Sequence, residues 1–163
     1  MSQPAEAGEA GGAFIAARVA LAADRRADAE ALVDWVLASA WSRPYNGWAA
    51  VELALTLDDL GRPVDPILEA ERTCPRLLWV QVAAAVARSA FVEAANQAHV
   101  LLSPPLESQI RLRLAKRLVD EGRQVEADEQ LDLAIAFWRS VGATRYVREA
   151  EALRSSTSAQ SNS

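Results

Sequence analysis

The chain of 163 residues contains a single cysteine, Cys74, and a single histidine, His99. One cysteine cannot form an intramolecular disulfide, so a reducing compartment fits best. One cysteine and one histidine cannot complete a zinc site without several carboxylates, and no His/Cys spacing supports one. Cys74 is expected to be a packed thiol and His99 a half-buried structural side chain. We therefore expect no metal, no cofactor and no catalytic residue, and hence no enzyme.

Long apolar runs are also missing from the sequence. No window approaches about 18 uncharged apolar residues, so no transmembrane helix is expected, and the N-terminus lacks the pattern of a signal peptide. The net charge of −5 argues against a dedicated nucleic-acid binder, because such proteins usually carry a basic excess. Lys116 is the only lysine, a bias we attribute to a GC-rich genome. The expected compartment is the cytoplasm.

Strand patterns are absent as well, since no segment alternates apolar and polar residues between turn signals. Apolar residues instead recur at three- and four-residue steps, which predicts an all-α protein of about nine helices. Residues 1–12 are expected to be a flexible leader, residues 13–154 a helical-repeat domain, and residues 155–163 a disordered tail. Asp65 and Pro66 predict a capped helix start, and the apolar segment 76–88 predicts a central helix.

One sequence motif recurs along the chain. Leu53-Ala54-x-x-Leu57-x-x-x-Gly61-Arg62 matches Leu114-Ala115-x-x-Leu118-x-x-x-Gly122-Arg123. Two degenerate copies are Val82-x-x-Ala85-x-x-x-Ser89 and Ala17-x-x-Ala20-x-x-x-Asp24-Arg25. Recurrence of this kind predicts helix pairs built from a repeated unit.

The last unit resembles the tetratricopeptide repeat, in which small residues allow two antiparallel helices to approach closely around a glycine-containing turn. The residues at matching intervals are Ala115, Gly122, Ala127, Leu131 and Ala134. The resemblance implies a tetratricopeptide-like right-handed α-α solenoid of about four helix pairs, with a C-terminal capping helix around Tyr146. An irregular helical bundle is the alternative.

A second resemblance covers residues 45–155 and is carried especially by the segment FWRSVGATRYVREAEALRSS. This segment looks like the C-terminal helical-repeat tail of bacterial signalling proteins that contain an adenylate/guanylate cyclase or a regulatory ATPase domain. The chain has no phosphate-binding GxxxxGK(S/T) stretch. The resemblance therefore implies a sensory or protein-interaction tail that carries no catalytic residues.

The five tryptophans are the most informative candidates for binding. Trp35 and Trp138 are predicted to be core residues, whereas Trp48 and Trp79 are predicted to line the concave face of the repeat stack. Alternatively, so small a stack closes on itself and buries Trp48 and Trp79. Aromatic and arginine side chains commonly anchor partners. The predicted partner-binding groove comprises Trp48, Val51, Leu55, Arg76, Trp79, Gln109, Leu112 and Lys116.

The expected function is non-catalytic binding of a protein or peptide by a scaffold or adaptor module. The alternative is a regulatory or ligand-sensing tail of a signalling ATPase, a cyclase or a transcription regulator. A third interpretation is nucleic-acid binding through Arg111, Arg113, Lys116 and Arg117. It is the weakest one, because these cations spread around their helix instead of forming one stripe.

Overall fold

The computed structural model describes the backbone of residues 7–39 and 47–160, and the side chains of residues 12–38 and 47–155. In these ranges the only regular structure is helical, which confirms the all-α prediction. None of the helices described there has both the length and the apolar character needed to cross a membrane. The helices are α1 (Ala7–Ala22), α2 (Arg26–Ser39), α3 (Gly47–Leu60), α4 (Asp65–Thr73), α5 (Leu78–Ala87), α6 (Phe91–Val100), α7 (Pro104–Asp120), α8 (Gln124–Ser140) and α9 (Thr144–Gln160).

The helical structure extends farther at both ends than the sequence predicted. α1 begins at Ala7, inside the expected leader, and α9 continues to Gln160, inside the expected tail. Glycine costs a helix about 1 kcal/mol per residue, but such propensities are weak and a helix that is already nucleated extends readily. Pro44 and Gly47 predict a loop over residues 41–47. Most of it falls on residues 40–46, which lie outside the described residues.

The start of α4 differs in detail from the prediction. Asp65 is already the first helical residue and Pro66 lies in the first turn, while Val64 occupies the N-cap without a capping side-chain hydrogen bond. The predicted cap at Asp65 is therefore wrong by one position, although its carboxylate still lies near the positive end of the helix dipole. The predicted central helix is also shorter than expected, because α5 starts only at Leu78.

The chain forms two compact units, the first ending at Ala90 and the second beginning at Phe91. In the first unit α3 is the central helix, packing against α1 and α5 and touching α2 and α4. Its sequence is apolar on nearly every side, as a helix contacted from several directions requires. The buried residues of α3 are Ala49, Ala50, Val51, Leu53, Ala54, Leu55, Thr56, Leu57 and Leu60.

Polar groups at the end of α3 are satisfied by side chains of α2. The guanidinium of Arg26 donates a hydrogen bond of 2.6 Å to the carbonyl of Leu60, one of the carbonyls that a helix end leaves unpaired. Arg62, just after α3, forms an ion pair of 2.7 Å with Asp34. The buried hydroxyl of Thr56 donates to the carbonyl of Glu52 at 2.7 Å. The contacts of Arg26 and Asp34 fix α2 against the end of α3, whereas the Thr56 bond lies within α3 itself.

In the second unit α7 packs against α6 and α8, and α9 packs against α8 and α7. Ala115 of α7 and Ala127 of α8 have no exposed surface. Their small side chains allow the two helix backbones to approach closely, as the sequence predicted. The core cluster of this unit consists of Leu112, Ala115, Leu118, Ala127, Leu131, Ile135 and Ala150.

One turn geometry ends six of the described helices. In each turn a residue with positive φ follows the helix, and its amide bonds to the carbonyl three residues earlier. The next amide bonds to the carbonyl five residues earlier, as Arg62 does to Leu57 at 2.9 Å and Arg123 to Leu118 at 2.8 Å. This pair of bonds is the Schellman motif. The residues with positive φ are Asp24, Gly61, Ser89, Leu102, Gly122 and Gly142.

Candidate functional site

The predicted binding residues are divided between the two units. Arg76 lies in the turn before α5, Trp79 lies in α5, and three more belong to α3. The members on α3 are Trp48, Val51 and Leu55, and the members on α7, in the second unit, are Gln109, Leu112 and Lys116. Each group is therefore described within its own unit.

Three of these residues are buried, which corrects their predicted place on an accessible surface. Val51 and Leu55 have no exposed surface in the core of the first unit, and Leu112 belongs to the core cluster of the second. On α3 the reason is that α1 and α5 cover it from two sides, so most of its circumference faces inward. In this structure Val51, Leu55 and Leu112 are core residues of their own units and cannot touch a partner directly.

Trp48 and Trp79 form the most prominent accessible feature among the predicted residues. Trp48, in the first turn of α3, is 42% exposed, and Trp79 on α5 is half-buried. Trp79 fills the space beside Gly47: its Cβ is 2.9 Å, and its Cγ 3.2 Å, from where a side chain at Gly47 would begin. Because Gly47 has no side chain, the starts of α3 and α5 can come together there.

We call Trp48, Trp79 and Arg76 the tryptophan patch. Arg76 is exposed and lies three positions before Trp79 in the sequence. Its turn is held by Gln81, whose side-chain amide donates to the carbonyl of Pro75 at 2.8 Å. The patch therefore combines two large aromatic side chains with one cation, the side-chain types that most often anchor protein partners.

The other two described tryptophans, Trp138 and Trp35, differ in how deeply they are buried. Trp138 is buried on α8, as predicted, and stacks on Tyr146 of α9. Trp35 is 39% exposed, so the prediction that it is a core residue is wrong. The buried residues of α2 are Ala29, Val33 and Val36. Consecutive residues of a helix with 3.6 residues per turn point about 100° apart, so Trp35 points away from its buried neighbour Val36. Trp35 instead follows the exposed Ala31 by about one turn and lies on the same side of the helix.

The basic residues of α7 bind groups of this chain itself. Lys116 forms an ion pair of 2.7 Å with Glu149 on α9, and Arg117 lies 4.9 Å from the ring centroid of Phe91. Arg111 donates to Glu107 at 2.8 Å and to Gln130 at 2.7 Å. Because these contacts occupy the cations and orient them in different directions, they do not favour α7 as a phosphate-binding surface.

His99 is exposed, contrary to its expected half-buried position, and its Nδ1 lies 3.0 Å from a carboxylate oxygen of Glu107. Burial alone would raise the pKa of Glu107, but the hydrogen bonds with Arg111 and His99, together with their charges, hold it below its usual value. Cys74 is a half-buried free thiol. In the described ranges no three His, Cys, Asp or Glu side chains are grouped so that they could hold a metal ion.

Comparison with protein families, with curated proteins and with solved structures finds no significant match to this chain. The site geometry and the turn geometry therefore have to support a function on their own.

Proposed function

We propose that this chain is a non-catalytic, tetratricopeptide-like helical-repeat module that binds a protein or peptide segment through the tryptophan patch. The observations that carry the proposal are the exposed indole of Trp48 at the start of α3 and the half-buried Trp79 of α5, which lies against the neighbouring residue Gly47. Large aromatic side chains that stay accessible are among the types that most often anchor a protein partner. The proposed compartment is the cytoplasm.

The repeated turn supports the repeat interpretation. The four sequence copies end at Asp24, Gly61, Ser89 and Gly122, and all four of these residues have φ between 57° and 75°. Each turn has the same two backbone hydrogen bonds. A turn of this type ends a helix and satisfies its last carbonyls. At the turns of Asp24 and Gly122 the flanking helices, α1 with α2 and α7 with α8, also pack against each other, as a helix-pair repeat requires.

The chemistry of the tryptophan patch indicates the kind of ligand. Two indole faces offer apolar area and an acceptor for cation–π contacts, while Arg76 offers a planar, permanently charged donor. A segment that carries one bulky apolar residue and a nearby carboxylate would satisfy both parts of the patch. Gln109 and Lys116 on α7 remain predicted contributors from the second unit; Lys116 already binds Glu149, so a partner carboxylate would have to compete with that pair.

The proposal is tested by selecting peptides from a display library against the purified chain and measuring their dissociation constants. Trp48→Ala and Arg76→Glu should each weaken the selected peptides at least about tenfold, because anchors of this type typically contribute 2 kcal/mol or more. Lys116→Ala should weaken them less, because that cation has an intramolecular partner. Peptides that bind both variants with unchanged affinity would show that the patch is not the binding surface.

A further inference from the structure

Helix α9 is attached to the second unit by fewer buried side chains than the other helices of that unit. Among the described side chains of α9, Ala150 is the one that is buried, and an alanine contributes little apolar area. By contrast, α6 buries four residues, α7 six and α8 five. Because regions with few buried apolar contacts open most easily, α9 should separate before the other three helices do.

Exposed ion pairs connect α9 to both neighbouring helices. Three pairs with distances of 2.6–2.7 Å join it to α7 and α8, namely Glu149 with Lys116, Glu151 with Arg139, and Arg154 with Asp132. Each of these six side chains keeps more than a third of its surface exposed. Pairs of this kind add little to stability and are weakened by salt. They therefore orient α9 on the unit more than they hold it there.

α9 covers the side of α8 that carries Ile135 and Trp138. Trp138 stacks on Tyr146 of α9, and Asp132 and Arg139 of α8 both pair with α9. In a helix of 3.6 residues per turn, Ile135 lies within about 60° of Asp132 and of Arg139, so it faces α9 as well. Ile135 is 3% exposed and Trp138 5%. Both would become accessible if α9 moved away.

The indole N–H of Trp138 favours such a movement. It is buried, and no protein group in the described part of the chain accepts a hydrogen bond from it. A buried donor without an acceptor costs free energy, which is recovered when the donor reaches water. This cost opposes the attraction between the rings of Trp138 and Tyr146.

We propose that α9 is a displaceable lid, which leaves the second unit as a whole helix while α6, α7 and α8 stay folded. The second unit then has a closed state, seen in this structure, and an open state in which Ile135 and Trp138 are accessible. The packing of α7 against α6 and α8 persists in the open state, because it does not require α9. Salt favours the open state, since it screens the three ion pairs.

Amide hydrogen exchange of the full chain, followed by NMR, tests the proposal. The amides of residues 148–153 should have protection factors at least about tenfold lower than those in the middle of α7 and α8. These amides should also share one opening constant, because the helix leaves as a unit. Raising NaCl from about 0.05 M to about 1 M should lower the protection of α9 at least about twofold and leave the middle of α7 unchanged. A gradient of protection along α9, which fraying from its end would produce, would overturn the proposal.

A charge variant and its control separate the ion pairs from other effects of salt. Glu149→Gln removes the pair with Lys116 and should lower the protection of α9 about twofold at low salt, with a smaller further effect of added NaCl. The matched control is Glu126→Gln, since the exposed carboxylate of Glu126 pairs with Arg123 at the start of α8. This control should leave α9 as protected as in the wild type. Equal effects of the two variants on α9 would contradict the proposal.

Ala150→Asp should hold the lid open, because docking would bury an unpaired carboxylate. The amides of α9 should then lose their protection. Those of α7 should lose no more than the protection factor that α9 has in the wild type, since only the free energy of docking is lost. Equal protection of α7 and α9 in the wild type would overturn the proposal whatever this variant does. Peptide binding at the tryptophan patch, in the first unit, is measured separately, so either proposal can fail without the other.

Discussion

The indole of Trp138 stacks on the ring of Tyr146, with ring centroids 4.3 Å apart and ring planes inclined by 19°. Trp138 is buried near the end of α8 and Tyr146 lies in the first turn of α9, so the stack joins these helices across the turn at Gly142. Ion pairs farther along α9 connect it to α7 and α8, but exposed pairs contribute little to stability. The aromatic stack therefore anchors the start of α9, while Ala150 joins the core cluster farther along the helix.

Replacing Tyr146 should loosen α9 measurably. Tyr146→Ala is expected to lower the free energy of unfolding by about 2 kcal/mol, from the lost ring stacking and the lost apolar contact area. Tyr146→Phe keeps the ring and should change it by less than about 0.5 kcal/mol. Urea denaturation followed by circular dichroism measures both. Equal losses for the two variants would mean that the ring stack does not hold α9.

Leu102 marks a place where the sequence conflicts with the backbone. It ends α6 with φ of 52° and is 85% exposed, so its side chain gains little from packing. An ordinary residue in this left-handed region costs about 1–2 kcal/mol, and glycine does not. Leu102→Gly should therefore stabilise the protein by about 0.5–1 kcal/mol.

Two control variants show whether any gain from Leu102→Gly comes from relief of backbone strain. Gly122→Ala changes the equivalent position of α7, where φ is 75°, and should destabilise the protein by about 1 kcal/mol. Val100→Gly removes an exposed apolar side chain at the last residue of α6 and should also destabilise the protein, by at most the helix-propensity cost of about 0.5–1 kcal/mol. If Leu102→Gly behaves like Val100→Gly, the left-handed backbone at Leu102 carries no strain.

Gly12 and Gly47, which both lie in helices, should respond oppositely to the same substitution. A Cβ at Gly47 would lie 2.9 Å from the Cβ of Trp79, whereas a Cβ at Gly12 meets nothing within 4 Å. Glycine to alanine gains about 1 kcal/mol of helix propensity in a helix interior, and overpacking costs about 1–3 kcal/mol. Gly12→Ala should therefore raise the midpoint of thermal unfolding, and Gly47→Ala should lower it. A rise for both variants would show that Trp79 moves away from Gly47 freely.

Glu107 should contribute to the acid sensitivity of the second unit. Because its pKa in the folded state is held below the usual value of 4.5, the carboxylate contributes stability above about pH 4.5. That contribution is lost as the pH falls through the folded-state pKa. Urea midpoints of wild type and Glu107→Gln should therefore differ at pH 7 and converge toward pH 3. Glu129→Gln, at an exposed position of α8, should follow the wild-type curve. A constant difference between wild type and Glu107→Gln at all pH values would contradict this account.

The sequence predicted the helical class and the close helix contact at Ala115 and Ala127, because helical periodicity and residue size are local properties. It also located the turns at Gly61 and Gly122. The sequence did not predict the left-handed turn at Leu102, because no glycine stands at that position. Only the positions of its backbone hydrogen bonds identify it as the same motif.

The site was harder to predict than the fold. α2 and α3 are rich in alanine and leucine, so their sequences do not distinguish the packed side from a second apolar side. Trp35 was therefore assigned to the core although it is exposed, and Val51 and Leu55 to a surface although they are buried. Which side of each helix is covered depends on contacts with α1 and α5, which are distant in sequence.

Binding through the tryptophan patch is the central claim, and fluorine NMR of the chain labelled with 5-fluorotryptophan tests it most directly. Resonances are assigned with single Trp→Phe variants and followed during titration with a library-selected peptide. The account predicts that the Trp48 and Trp79 signals shift together, with a common dissociation constant, while those of Trp138 and the equally exposed Trp35 stay in place. Saturable binding that moves the Trp35 signal, or leaves Trp48 and Trp79 unchanged, would contradict it.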